Sequence, residues 1–116
     1  MLKQILAAAT VAAALALPTH RATALAIPEY YQPLVAIIWE PALAPRLAEV
    51  VQCESGWNSM AVGALGELGL AQIMPSTWSS TVAAPPIEMW MSPASNLYTA
   101  RAIYEESGWA PWSCAR

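Results

Sequence analysis

Only about 90 residues of this chain are available to build a core, and that shortage constrains its fold more than any other feature. The first 26 read as an export signal. Lys3 is a basic start, Ile5 to Leu17 is a mostly apolar run of about 13 residues, and Ala24-Leu25-Ala26 fits a small-residue cleavage site. The run falls short of the roughly 18 to 20 residues that span a bilayer, so an uncleaved anchor is the lesser reading, kept open by His20 and Arg21 in the cleavage region. Residues 27–116 then form one domain, near the size at which a single core is marginal and a covalent staple helps. No stretch after residue 26 is long and apolar enough to span a membrane, so stable membrane insertion is not expected once the signal is removed.

Two cysteines can supply the staple. Cys53 and Cys114 both follow the signal, and an even pair in an exported protein reads first as a disulfide. Closing a loop of that length stabilises a fold by roughly 4 kcal/mol on the chain-entropy account. A free thiol nucleophile and half of a metal site are the competing readings, and His20, the one histidine, leaves with the signal. The chain has no Asp, and residues 27–116 contain neither His nor Lys. Ser-His-Asp and Cys-His catalysis, His-based zinc sites and lysine Schiff bases are thereby excluded. No metal and no cofactor are expected. Eight glutamates against Arg46, Arg101 and Arg116 give residues 27–116 a net charge of −5, which disfavours nucleic acid and anionic lipid as partners. Glutamate is almost the only acid or base such an enzyme would have.

The local pattern is helical. Tyr30, Leu34, Ile37 and Ile38 recur at helical spacing between Pro28 and Trp39, with Glu40-Pro41 ending the run. Pro45 suits the first turn of a second helix continuing to Glu54. Ser55 to Leu68, holding Gly56, Gly63 and Gly66, reads as a loop with room for a short extended piece. Pro75-Ser76-Thr77-Trp78 resembles the first turn of a small helix, and Thr81 to Met91 reads as irregular. Ser92 as N-cap, Pro93 at the first position and Gly108 as stop punctuate the last helix. The tail from Trp109 would fold back so that Cys114 reaches Cys53. A small, mainly α domain follows.

Glu54 is the foremost chemical candidate. It falls at helical spacing from Leu47 and from Val50 or Val51, which puts its carboxylate on the apolar, core-facing side of the helix. A carboxyl group among apolar side chains can serve as general acid and then as base. A solvated glutamate in a final helical turn would have the same spacing. Six tryptophans are a heavy load for so short a domain. Most should be core, and Trp78, which follows the Gln72 segment, is the first choice for contact with a ligand. Gln72 could present its amide to an N-acetyl group or a hydroxyl. Gly63, Gly66 and Gly69 suit turn geometry rather than phosphate binding.

Three segments together carry a resemblance: Cys53-Glu54-Ser55-Gly56-Trp57-Asn58, Val62-Gly63-Ala64-Leu65-Gly66, and Gly69-Leu70-Ala71-Gln72-Ile73-Met74-Pro75-Ser76-Thr77-Trp78. They resemble the soluble lytic transglycosylase domain of the lysozyme-like superfamily, with its catalytic E-S, its G-x-x-G turn and its G-L-x-Q-I-x-P-x-T run. Asn96-Leu97, Ala100-Arg101-Ala102 and the tail to Cys114 are similar to the closing helix and tail of small exported members.

The resemblance implies a lysozyme-like α fold and cleavage of the β-1,4 bond between N-acetylmuramic acid and N-acetylglucosamine in peptidoglycan. One Glu, here Glu54, would protonate the glycosidic oxygen and then deprotonate the muramyl C6 hydroxyl, closing a 1,6-anhydro ring. It also implies substrate contacts from Ser55, Gln72, Ile73, Met74, Trp78 and Tyr104. This sequence departs from the family pattern at Gly63, where a serine is frequent, and at Ala71, where methionine is frequent. Tyr104 and Tyr98 are both open as counterparts of the family's tyrosine near the catalytic Glu.

The expected protein is an exported monomer, periplasmic or extracellular, working on peptidoglycan glycan strands. A lysozyme-type hydrolase on the same fold is the first alternative, with Glu67 the one nearby candidate for a second carboxylate. A non-catalytic peptidoglycan-binding module is the second.

Overall fold

The computed structural model describes residues 27–116; the expected signal segment, 1–26, lies outside the described residues. The fold is mainly α, as the sequence predicts. A 3₁₀ turn at Glu29–Tyr31 leads into α1 (Gln32–Ile38). After it come α2 (Ala44–Ser55), α3 (Pro75–Ser80) and α4 (Pro93–Ser107), and 3₁₀ turns at Ile87–Met89 and Ser113–Ala115 complete the list of elements.

The sequence periodicity suggested one helix from Pro28 to Trp39, whereas the structure divides it. Pro33 has no N–H with which to bond the Glu29 carbonyl four residues back. The Gln32 N–H takes that carbonyl instead, closing a 3₁₀ turn before α1 begins. α2 begins with Pro45 in its first turn and stops at Gly56, whose φ of +61° lets its N–H reach the carbonyls of Val51 and Gln52. α4 has the predicted punctuation: the Ser92 hydroxyl accepts from the Ser95 N–H at 3.2 Å, Pro93 opens the helix, and Gly108 ends it at φ +61°.

One core joins these elements. Val35 and Trp39 from the first helical segment meet Leu47, Val50 and Val51 of α2, Trp78 of α3 and Leu97, Ala100 and Ile103 of α4. The Trp39 indole N–H donates to the Leu97 carbonyl at 3.2 Å, fixing the end of α1 to α4 across 58 residues. Its ring stacks on Trp109 at 5.7 Å, and Tyr104 packs against both. The Cys53–Cys114 disulfide is present, with the two Cα atoms 5.9 Å apart. Between α2 and α3 the expected short extended piece consists of isolated antiparallel bridges, Val62 with Leu68 and Leu68 with Ile73.

Over the outer side of this aromatic group, Arg101 grips both carboxylate oxygens of Glu40 at 3.1 and 2.7 Å and also bonds Glu105. Those bonds hold the Glu40 carboxyl below the ordinary carboxylate range. A lowered folded-state pKa stabilises the fold above the unfolded value, and the contribution is lost as pH falls through the lowered one. The thermal penalty of Glu40→Gln is therefore expected at neutral pH, to shrink with added salt, and to disappear in acid. Melting curves of the two proteins across pH check this, and a penalty that persists in acid would show that Glu40 stabilises by some means other than its charge.

Candidate functional site

α2 carries Glu54 to the edge of the core. Leu47, Val50 and Val51 on the same side of the helix are buried, and Glu54, one turn further on, is partly buried. The chain then reverses through two consecutive left-handed residues, Gly56 at φ +61° and Trp57 at φ +64°. An aromatic residue rarely adopts that conformation, and a residue so held stores about 1–3 kcal/mol. The Trp57 ring is buried and stacked on Tyr31 at 5.4 Å, and its indole N–H has no acceptor among the described residues. Strain and an unpaired donor thus sit three residues beyond Glu54.

Three hydrogen bonds assemble what surrounds the carboxylate. The Cys114 backbone N–H donates to Glu54 Oε2 at 3.2 Å. Ser55 Oγ donates to the Leu70 carbonyl at 2.7 Å, tying the helix end to the turn that carries the Gln72 segment. The Trp112 indole N–H donates to the Ala71 carbonyl at 2.8 Å, tying the tail to that same turn. Helix end, turn and tail are therefore one connected unit. Beside it, Gln72, Ile73 and Met74 line a small recess whose other walls are Thr77, Ile103, Pro111 and Trp112.

Gln72 does not offer its amide hydrogens outward. Its backbone is left-handed at φ +52°, and the side chain turns back so that Nε2 faces the carbonyls of Gly69, Ala61 and Glu67 at 3.1, 3.2 and 3.5 Å. It is the clamp of its own turn. Gly63, where the sequence departs from the family pattern, makes room for this arrangement. A Cβ there would lie 2.5 Å from Gln72 Oε1 and 2.5 Å from Glu67 Oε1. Glu67 is likewise engaged locally, accepting from the Leu65 N–H at 2.8 Å.

Asn96 fastens the turn to α4. Fully buried, it donates to the Leu68 and Trp90 carbonyls at 3.1 Å each and accepts from the Ala71 N–H at 2.9 Å. Gly69 lies against it at φ +76°, and a Cβ at this position would come within 2.3 Å of Asn96 Nδ2 and 2.9 Å of the Trp90 carbonyl. Gly69→Ala is therefore expected to lower stability by more than about 2 kcal/mol, since strained backbone and a displaced buried network add. Gly63→Ala should lower it less, because the obstructing atoms there are the ends of flexible side chains. Denaturant midpoints of the two variants give the comparison, and equal losses would refute it.

Of the remaining expected residues, Trp78 and Tyr104 are not among those lining the recess. Trp78 is 1% exposed and donates its indole N–H to the Pro85 carbonyl at 2.7 Å, so it supports α3 from within the core. Tyr104 is partly buried in the aromatic group with Trp39 and Trp109. Ile73 is also core, bonded through its backbone to Leu68 in both directions, while Met74 is 37% exposed. Trp112, Pro111 and the Cys114 amide are contributions the sequence reading missed. The signal was there in W-S-C: a disulfide from Cys114 to the residue before Glu54 brings the indole two residues earlier close to the same helix end. Among the described residues no helix is long and apolar enough to cross a membrane.

A family model described as the Transglycosylase SLT domain matches residues 39–107, a span that contains α2, the Gln72 turn, α3 and α4. No curated protein and no solved structure matches the chain significantly.

Proposed function

This chain belongs to the transglycosylase SLT domain family, whose members act on peptidoglycan, and from that premise we propose that it is a lytic transglycosylase with Glu54 as both acid and base. Residues 27–116 form the catalytic domain in this reading, and 1–26 direct its export to the periplasm or beyond. Protonated Glu54 delivers its proton to the oxygen of the β-1,4 bond between N-acetylmuramic acid and N-acetylglucosamine, and that bond breaks. The resulting carboxylate accepts the proton of the muramyl C6 hydroxyl as its oxygen bonds to C1, leaving a 1,6-anhydromuramyl end. No water is consumed.

The observation that carries this reading is the setting of Glu54: a partly buried carboxylate at the end of an apolar helix, one oxygen held by a backbone N–H, in a chain without aspartate. Hydrolysis by a pair of carboxylates needs a second acid facing the same bond. Glu67, the candidate for that second acid in the turn, accepts the Leu65 N–H within its own turn. Substrate contact is assigned to the recess of Gln72, Ile73 and Met74, while Ser55 ties the helix end to the Gln72 turn, and Trp78 and Tyr104 act from within the packed interior. The protein acts as a monomer on glycan strands.

Product masses from purified peptidoglycan test the chemistry. Anhydromuramyl ends are the expected result; reducing ends would make the protein a hydrolase, and cell-wall binding without any release would make it a binding module.

A further inference from the structure

We propose that the backbone amide of Cys114 is a positioning group for Glu54, and that the Cys53–Cys114 disulfide makes this contact conditional on oxidation. The inference rests on the reading of Glu54 as acid and base. Among the described residues the Cys114 N–H is the one hydrogen-bond donor to the Glu54 side chain, at 3.2 Å from Oε2. The carbonyl oxygen is the stronger acceptor of a neutral carboxyl, so this bond favours the form that carries the transferable proton on Oε1. After that proton has been given up, the amide still fixes Oε2, and Oε1 stays aimed where the C6 hydroxyl must return a proton. One immobile donor serves both halves of the reaction.

The amide is held in place from three sides. Cys114 is bonded covalently to Cys53, the neighbour of Glu54 in α2. Trp112 anchors the tail to the Ala71 carbonyl, and Arg46 donates to the Ala115 carbonyl. The arginine contact is solvent-exposed and weak. Trp112 holds a residue two positions away from the amide. The 3₁₀ turn Ser113–Ala115 links Cys114 to Trp112, and the disulfide is its one covalent tie to α2, with the Cys53 end exposed and within reach of a reductant. Reduction takes two electrons and two protons, yields two thiols, and converts a dithiol reductant to its own disulfide. Freed in this way, Cys114 no longer shares a covalent path of a few bonds with the residue beside the carboxylate.

The test uses the full oxidised chain. Amide NMR across pH should show the Cys114 N–H resonance moving as the Glu54 carboxyl titrates, and Glu54→Gln should leave that resonance flat. A Cys114 signal that stays still in the wild type, or moves equally in both proteins, overturns the proposal. In parallel, peptidoglycan digestion is compared before and after reduction with a phosphine, with circular dichroism reporting the fold. Turnover of the reduced, folded protein should fall about 10²-fold with little change in KM, because a displaced reacting group costs that much, and reoxidation should restore it. Full turnover in the reduced, folded state is the second overturning result. If reduction unfolds the chain, the amide titration still decides. Activity surviving in Glu54→Gln would instead remove the catalytic reading while leaving the titration interpretable.

Discussion

Glu54→Gln is expected to lower the release of soluble fragments from purified peptidoglycan by about 10⁴-fold or more, since general acid–base catalysis contributes roughly 10²–10⁴-fold and here one group would serve both steps. The substitution keeps the shape of the side chain, and its carbonyl oxygen can still accept the Cys114 N–H, so the fold should be retained. What is lost is the ability to give and take a proton. Mass spectrometry of the released fragments gives the rate, and thermal melting confirms that the variant is folded. Glu67→Gln is the informative companion, because its side chain can still accept the Leu65 N–H. It should digest at close to the wild-type rate. Loss of activity at both positions would point to a two-carboxylate mechanism and against anhydro-ring formation.

Removal of the disulfide by Cys53→Ser with Cys114→Ser has the largest expected effect on stability. The bridge spans 61 residues, two thirds of the described chain. On the chain-entropy account a loop of that length is worth about 4 kcal/mol. Small domains are stable by only about 5–15 kcal/mol, so the double variant should be close to unfolding under ordinary conditions. At roughly 4–8 °C per kcal/mol for a domain of this size, the melting temperature should fall by about 15–30 °C. Calorimetry or circular dichroism reads the shift. A fall of a few degrees would mean that Trp112 and Arg46 hold the tail without the sulfur bridge.

The helix boundaries were legible because their signals are local. Ser92, Pro93 and Gly108 each satisfy or withhold a backbone hydrogen bond within a few residues, and the structure uses all three. The division of the first helix was equally local, and Pro33 is its cause. The disulfide was legible from an even cysteine count together with the expectation of export. The direction in which side chains face was not. Spacing places Gln72 after a glycine-rich turn, but a left-handed φ at Gln72 itself turns the amide inward. Two of six tryptophans illustrate the same limit: Trp78 and Trp112 are both buried, yet it is Trp112 that also lines the recess, a difference decided by where the tail folds back. Asn96 reads in sequence as one polar residue near the start of a helix. Its role as a three-bond clamp exists only once the turn carrying Leu68 and Ala71 is packed against it.

The bonds that assemble the unit around Glu54 have a kinetic consequence. Ser55 reaches Leu70 across 15 residues, Trp112 reaches Ala71 across 41, and Cys114 reaches Glu54 across 60. Helical domains ordinarily fold fast because their contacts are local, and each long closure must be made before its contacts reward it. In this chain the helices are the quick part and the reacting carboxylate the slow one. A chain that already carries its bridge begins refolding with the longest of those closures complete.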